Sequence, residues 1–113
     1  MKRLSAFMAV LALVLGAGIA FADGSWSGSG EIVELGCYKS RNATGADHAA
    51  CAKKCLSDGK AMGLLQEDGS IINLTKGSDE AAYSVLIDLA GKMAKVEGTE
   101  ADGAVTVTAG SAG

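Results

Sequence analysis

From residue 31 onward the chain carries short apolar runs that alternate with polar residues or recur at helical spacing, cut by Asp-Gly and Gly punctuation. That pattern predicts a small mixed domain. Residues 31–39 contain Ile32, Val33 and Tyr38 and predict a strand, followed by a loop at 40–43. Residues 44–59 predict a helix, with Thr44 as N-cap, Asp47 three positions on and Gly59 as its stop. Residues 61–66 and 70–75 predict two strands joined by a turn at Asp68-Gly69, a strong hairpin signal. Ser78 is a suitable cap for a second helix over 79–90, whose apolar positions Ala82, Val85, Leu86 and Leu89 fall on one face. Residues 92–100 and 104–109 predict the last two strands, with Asp102-Gly103 between them. Residues 110–113 read as a flexible tail, and 23–30 (DGSWSGSG) as a Gly/Ser-rich lead with Trp26.

The order is strand, helix, strand, strand, helix, strand, strand. Without the first helix it is five strands with a helix between the third and fourth, the order of an OB-fold barrel. The expected fold is therefore mainly β: an OB-like domain over residues 31–109, with a helix inserted between strands 1 and 2.

Ahead of this domain, residues 6–22 run AFMAVLALVLGAGIAFA without a charge, behind Lys2 and Arg3. Small residues at Ala20 and Ala22 and the polar Asp23 complete the pattern of a secretory signal over residues 1–22. The expectation is export to the periplasm or beyond, with no stable membrane insertion after cleavage. Of 113 residues, 91 remain after those 22, enough for one domain. Without Lys2 and Arg3, eight basic residues stand against thirteen acidic ones, a net charge of −5. An acidic, aromatic-poor surface is a poor partner for nucleic acid.

The distinctive chemistry is confined to the three cysteines and the single histidine, in the pattern C-x10-H-x2-C-x3-C. On the predicted helix, His48, Cys51 and Cys55 share one face. Cys37, at the end of the preceding strand, can come back beside them. Three thiolates and an imidazole form a known tetrahedral set for zinc, and thiolates also suit monovalent copper. Met62 is a further candidate thioether. The competing reading is a disulfide from Cys37 to Cys51 or to Cys55, worth about 2–4 kcal/mol in a small exported domain. Cys51 with Cys55 is the least suited pair, because helical i,i+4 side chains are poorly directed for a bond. The odd third thiol, beside His48, allows a redox reading as well. A c-type haem site is excluded, since Leu56 follows Cys55 where a histidine is required.

The segment from Gly30 to Leu65 resembles a family of small exported bacterial proteins with an OB-like fold. The matching residues are Gly30-Glu31-Ile32-Val33, Cys37-Tyr38, His48, Cys51-Ala52, Cys55, Gly59 and Met62-Gly63-Leu64-Leu65. The resemblance implies the fold and the importance of Cys37, His48, Cys51 and Cys55, and names no reaction. Asn42-Ala43-Thr44 and Asn73-Leu74-Thr75 match the glycosylation acceptor pattern but read as chance in a bacterial-type chain. Trp26 and Tyr38 read as cover for the core. No carboxylate pair, Ser-His-Asp set or phosphate loop is present. The sequence thus points to a non-enzymatic metal-binding domain (zinc or copper), with a periplasmic protein as a further partner. The alternatives are a disulfide-stapled interaction module or a thiol redox protein.

Overall fold

The computed structural model describes residues 24–113. The predicted signal segment and its cleavage site lie outside the described residues. The elements run β1 (Ser25–Glu34), α1 (Leu35–Arg41), α2 (Ala49–Ser57), β2 (Met62–Leu65), β3 (Ile71–Lys76), α3 (Glu80–Asp88), β4 (Met93–Ala101) and β5 (Ala104–Ala112). A 3₁₀ turn, Ala46–His48, leads into α2. Among the described residues no helix is long and apolar enough to cross a membrane.

The architecture is mainly β. The first half of β1 pairs antiparallel with β4, and its last residues pair antiparallel with β2. Glu31 sits at the changeover, with Met93 on one side and Leu65 on the other. A Cβ at Gly30 would collide with the Leu65 carbonyl, so the strand can swing from one neighbour to the next only with glycine there. β2 and β3 form the expected hairpin, β3 runs parallel to β5, and β5 returns antiparallel to β4. The five-stranded mixed sheet thereby closes in a ring. Asp102 and Gly103 both have positive φ (54° and 82°), the pair of left-handed residues that a tight two-residue hairpin needs.

Strand alternation fills the ring. Ala94 and Val96 of β4 and Val105 and Val107 of β5 point inward between exposed neighbours. Ile32, Met62, Leu64 and Leu74 join them, and α3 adds Ala82 and Leu86. A Cβ at Gly110 would stand 2.6 Å from the Leu86 side chain, so α3 lies directly against β5. Helix α2 contributes Ala52 and Leu56 to the same core.

Several expectations are corrected. The predicted lead 23–30 is largely strand, because Ser25 to Gly30 find backbone partners along β4 whatever their propensity. The strand expected over 31–39 ends at Glu34 and gives way to α1, which the periodicity did not reveal. The tail expected to be flexible is paired: β5 continues to Ala112, and the Gly113 amide donates to the Met93 carbonyl at 3.0 Å. The cap of α3 is Asp79 rather than Ser78, its carboxylate accepting the Ala82 amide at 3.0 Å. Val85, expected in the core, is 41% exposed, because the buried stripe runs through Ala82, Leu86 and Ala90.

Candidate functional site

The site is built by the two short helices that follow β1. At the end of β1, Glu34 points back over the start of α1 and is only 6% exposed. Its two carboxylate oxygens accept the amides of Gly36 (2.7 Å) and Cys37 (3.1 Å), which satisfies donors that a helix start leaves unpaired. Burial alone would raise the pKa of this carboxyl. Hydrogen bonds from the Cys37 thiol and from the two amides, with Lys60 nearby, outweigh it and hold the carboxyl below its usual range. Leu35 lies over Gly63 of β2, where any Cβ would collide with it. Asn42, at φ 52°, closes α1 by donating its amide to the Tyr38 carbonyl at 2.8 Å. Cys37 is therefore the third residue of a helix, not the end of a strand as the sequence suggested.

The second helix starts later than expected. Thr44 does not cap it. Instead the chain makes the turn Ala46–His48, and His48 itself occupies the N-cap position of α2 without a side-chain capping bond. The segment is fixed from β1: the Glu31 carboxylate accepts the Gly45 amide. Two acidic side chains at one end of β1 thus anchor the starts of both helical segments.

Cys37, His48 and Cys51 line one small pocket. Glu34 and Arg41 complete its polar wall, and Ala43 and Ala52 its apolar wall. The cavity measures about 10 Å³, room for about one water-sized group. Cys55 is not part of this wall. Its pKa is pushed up by burial first and then by the nearby Cys51 and Cys37 sulfurs and Glu34. The Arg41 guanidinium donates to the Cys37 sulfur at 3.6 Å, and this bond with the charges of Cys37 and Cys51 holds Arg41 more firmly protonated.

All three cysteines are free thiols. Cys51 is exposed, while Cys37 and Cys55 are half-buried. Among the described residues no three His, Cys, Asp or Glu side chains already converge on one ion position. The fold therefore brings Cys37, His48 and Cys51 to one pocket and sets Cys55 against the other thiols, without forming a closed coordination shell. Met62, considered as a thioether donor, is fully buried in the ring core. Glu31, Glu34 and Arg41 were missed by sequence reasoning. Glutamate is not among the preferred N-cap residues, so neither acid carried a capping signal.

No protein-family model matches the chain, and neither does any curated protein or solved structure.

Proposed function

We propose that this chain is an exported, non-enzymatic OB-like domain that binds a thiophilic transition-metal ion, zinc or copper, through Cys37, Cys51, Cys55 and His48. The observation that carries the reading is that Cys37 of α1 and His48 and Cys51 at the start of α2 line one ion-sized cavity, with Cys55 near the two thiols. Cys37 is fourteen positions from Cys51, and the two meet only because Glu34 and Glu31 fix the two helix starts. Thiolates this near one another repel, which adds to the burial that chiefly raises the Cys55 thiol. A bound cation removes that repulsion and makes the cluster favourable. A cavity of about 10 Å³ holds an ion or a water but no organic substrate.

The OB-like assignment is supported by the strand order in the ring, the parallel β3–β5 pair and the position of α3 between β3 and β4. Export is supported by the composition of residues 1–22. The acidic balance of the remaining chain favours a metal ion and a periplasmic protein, rather than nucleic acid, as partners.

The test is a native intact mass of protein purified from the exported fraction without added thiol or chelator. The expected result is one metal ion per chain, lost on acidification, with three alkylatable thiols. A metal-free chain two hydrogens light would replace this reading with a disulfide-stapled interaction module. A metal-free chain with one thiol that alkylates far faster than the others would point to redox chemistry instead.

A further inference from the structure

We infer that the cleft between the end of α2, the end of β3 and the exposed side of α3 binds a free amino acid with a large apolar side chain. The cleft is separate from the thiol pocket and stands independently of the metal-binding reading. It measures about 310 Å³, the lower end of the range for small-molecule sites and room for one amino acid. Leu56 of α2, only 2% exposed, is its floor. Tyr83 and Ile87, four positions apart on one face of α3, form a half-buried apolar wall that packs against the core. The Lys53–Asp88 pair, at 3.3 Å, ties α2 to α3, so the two helical walls are held in place without a ligand.

Charge decides the ligand class. Lys76 ends β3 and Glu80 begins α3, and both line the cleft. The ion pairs among the described residues are Lys53–Asp88 and Lys54–Asp58, so Lys76 and Glu80 share the cleft without pairing with each other. One cation and one anion at the rim of an apolar hollow match a zwitterion. The α-carboxylate meets Lys76, the α-ammonium meets Glu80, and the side chain lies over Leu56, Tyr83 and Ile87. An apolar ligand leaves both charges unused, and a simple ion uses only one of them and none of the apolar wall. Tyr83 is raised by burial alone, with no hydrogen bond acting on its phenol, so it keeps its proton and adds a donor to the same wall. Ser84 lines the cleft as well, and its small side chain keeps the space open.

The experiment titrates the full exported chain with L-leucine and with L-phenylalanine, followed by calorimetry and by amide NMR shifts. Each amino acid is compared with two analogues, one lacking the ammonium (4-methylpentanoate, 3-phenylpropionate) and one lacking the carboxylate (isopentylamine, phenethylamine). The expected result is saturable binding of at least one amino acid, with shifts centred on residues 56–59 and 76–87. Its two analogues should bind about tenfold more weakly, since each leaves one charge unanswered. Lys76→Gln and Glu80→Gln, both at exposed positions, should each weaken binding about tenfold while the melt stays cooperative. Ser84→Trp should fill the cleft and abolish binding. Absence of shifts in those segments with either amino acid at millimolar concentration overturns the assignment. So do analogues that bind as tightly as the parent amino acid, and folded charge variants that bind like the wild type. The metal content of the same samples is read separately by intact mass, so failure here and failure of the metal reading are distinguished.

Discussion

Helices α2 and α3 are each nine residues long and each sinks two side chains into the ring core, yet they begin differently. At α3 the N-cap is Asp79, whose carboxylate accepts a backbone amide. At α2 the equivalent position holds His48, which makes no capping bond and faces the thiol pocket instead. The comparison shows how a small domain accommodates a site. Anchoring is left to Ala52 and Leu56, and the residue best placed for capping is given to the pocket. The rest of that helix start is held from outside, by Glu31 on the Gly45 amide.

The most severe way to test this division is to remove an anchor. Leu86→Ala, in the fully buried stripe of α3, should lower stability by about 2–5 kcal/mol in chemical denaturation. Cys51→Ser, on the exposed face of α2, should change stability by less than about 0.5 kcal/mol. It should weaken metal affinity by at least about tenfold in chelator competition. Comparable stability losses for the two variants would erase the distinction between anchor and site.

Exchanging the caps is the next test. Asp79→Ala should cost about 1 kcal/mol. His48→Asp should move the other way, stabilising the metal-free chain by roughly 0.5–1 kcal/mol because aspartate caps well where histidine does not. The same variant should bind metal less tightly. A His48→Asp chain less stable than the parent in denaturant melts would mean that His48 already supports the fold.

The smallest effect is the pH dependence of the Glu34 anchor. Its folded pKa lies below the ordinary 4.5. The unfolded chain therefore takes up the proton first as pH falls. The contribution is fully present above about pH 4.5 and is lost as pH drops through the folded value. Stability measured from pH 6 to pH 3 should fall accordingly, and Glu34→Gln should flatten that part of the profile. An unchanged slope in Glu34→Gln would place the acid sensitivity elsewhere.

Local chemistry made much of this legible in advance. Asp68-Gly69 and Asp102-Gly103 marked turns because few residue types accept a positive φ. The alternation of Val105 and Val107 with threonines marked a strand, since side chains there point in and out by turns. The spacing of His48 and Cys51 pointed to a shared helical face, and both line the pocket. Helix α1 was not legible, because its start depends on a buried glutamate bonding to amides two and three residues on, and Leu35 is held by Gly63 from a distant strand. Ser25 to Gly30 and Gly110 to Ala112 were equally silent. Small residues have weak strand preference, and only their partners on β4 make them strands.

By itself, then, the sequence determined where the two Asp-Gly turns lie, which strand positions alternate inward, and that the thiols and the single imidazole stand close along the chain. Those properties are set within a few residues by φ preference, periodicity and functional-group chemistry. Only the tertiary structure decided that Cys37 stands on a helix and shares a pocket with Cys51, that Cys55 is left out of its wall, that Glu34 and Arg41 line it, and that Glu31 holds the Gly45 amide. Those depend on contacts between segments far apart in the chain, whose geometry exists only once the ring has closed.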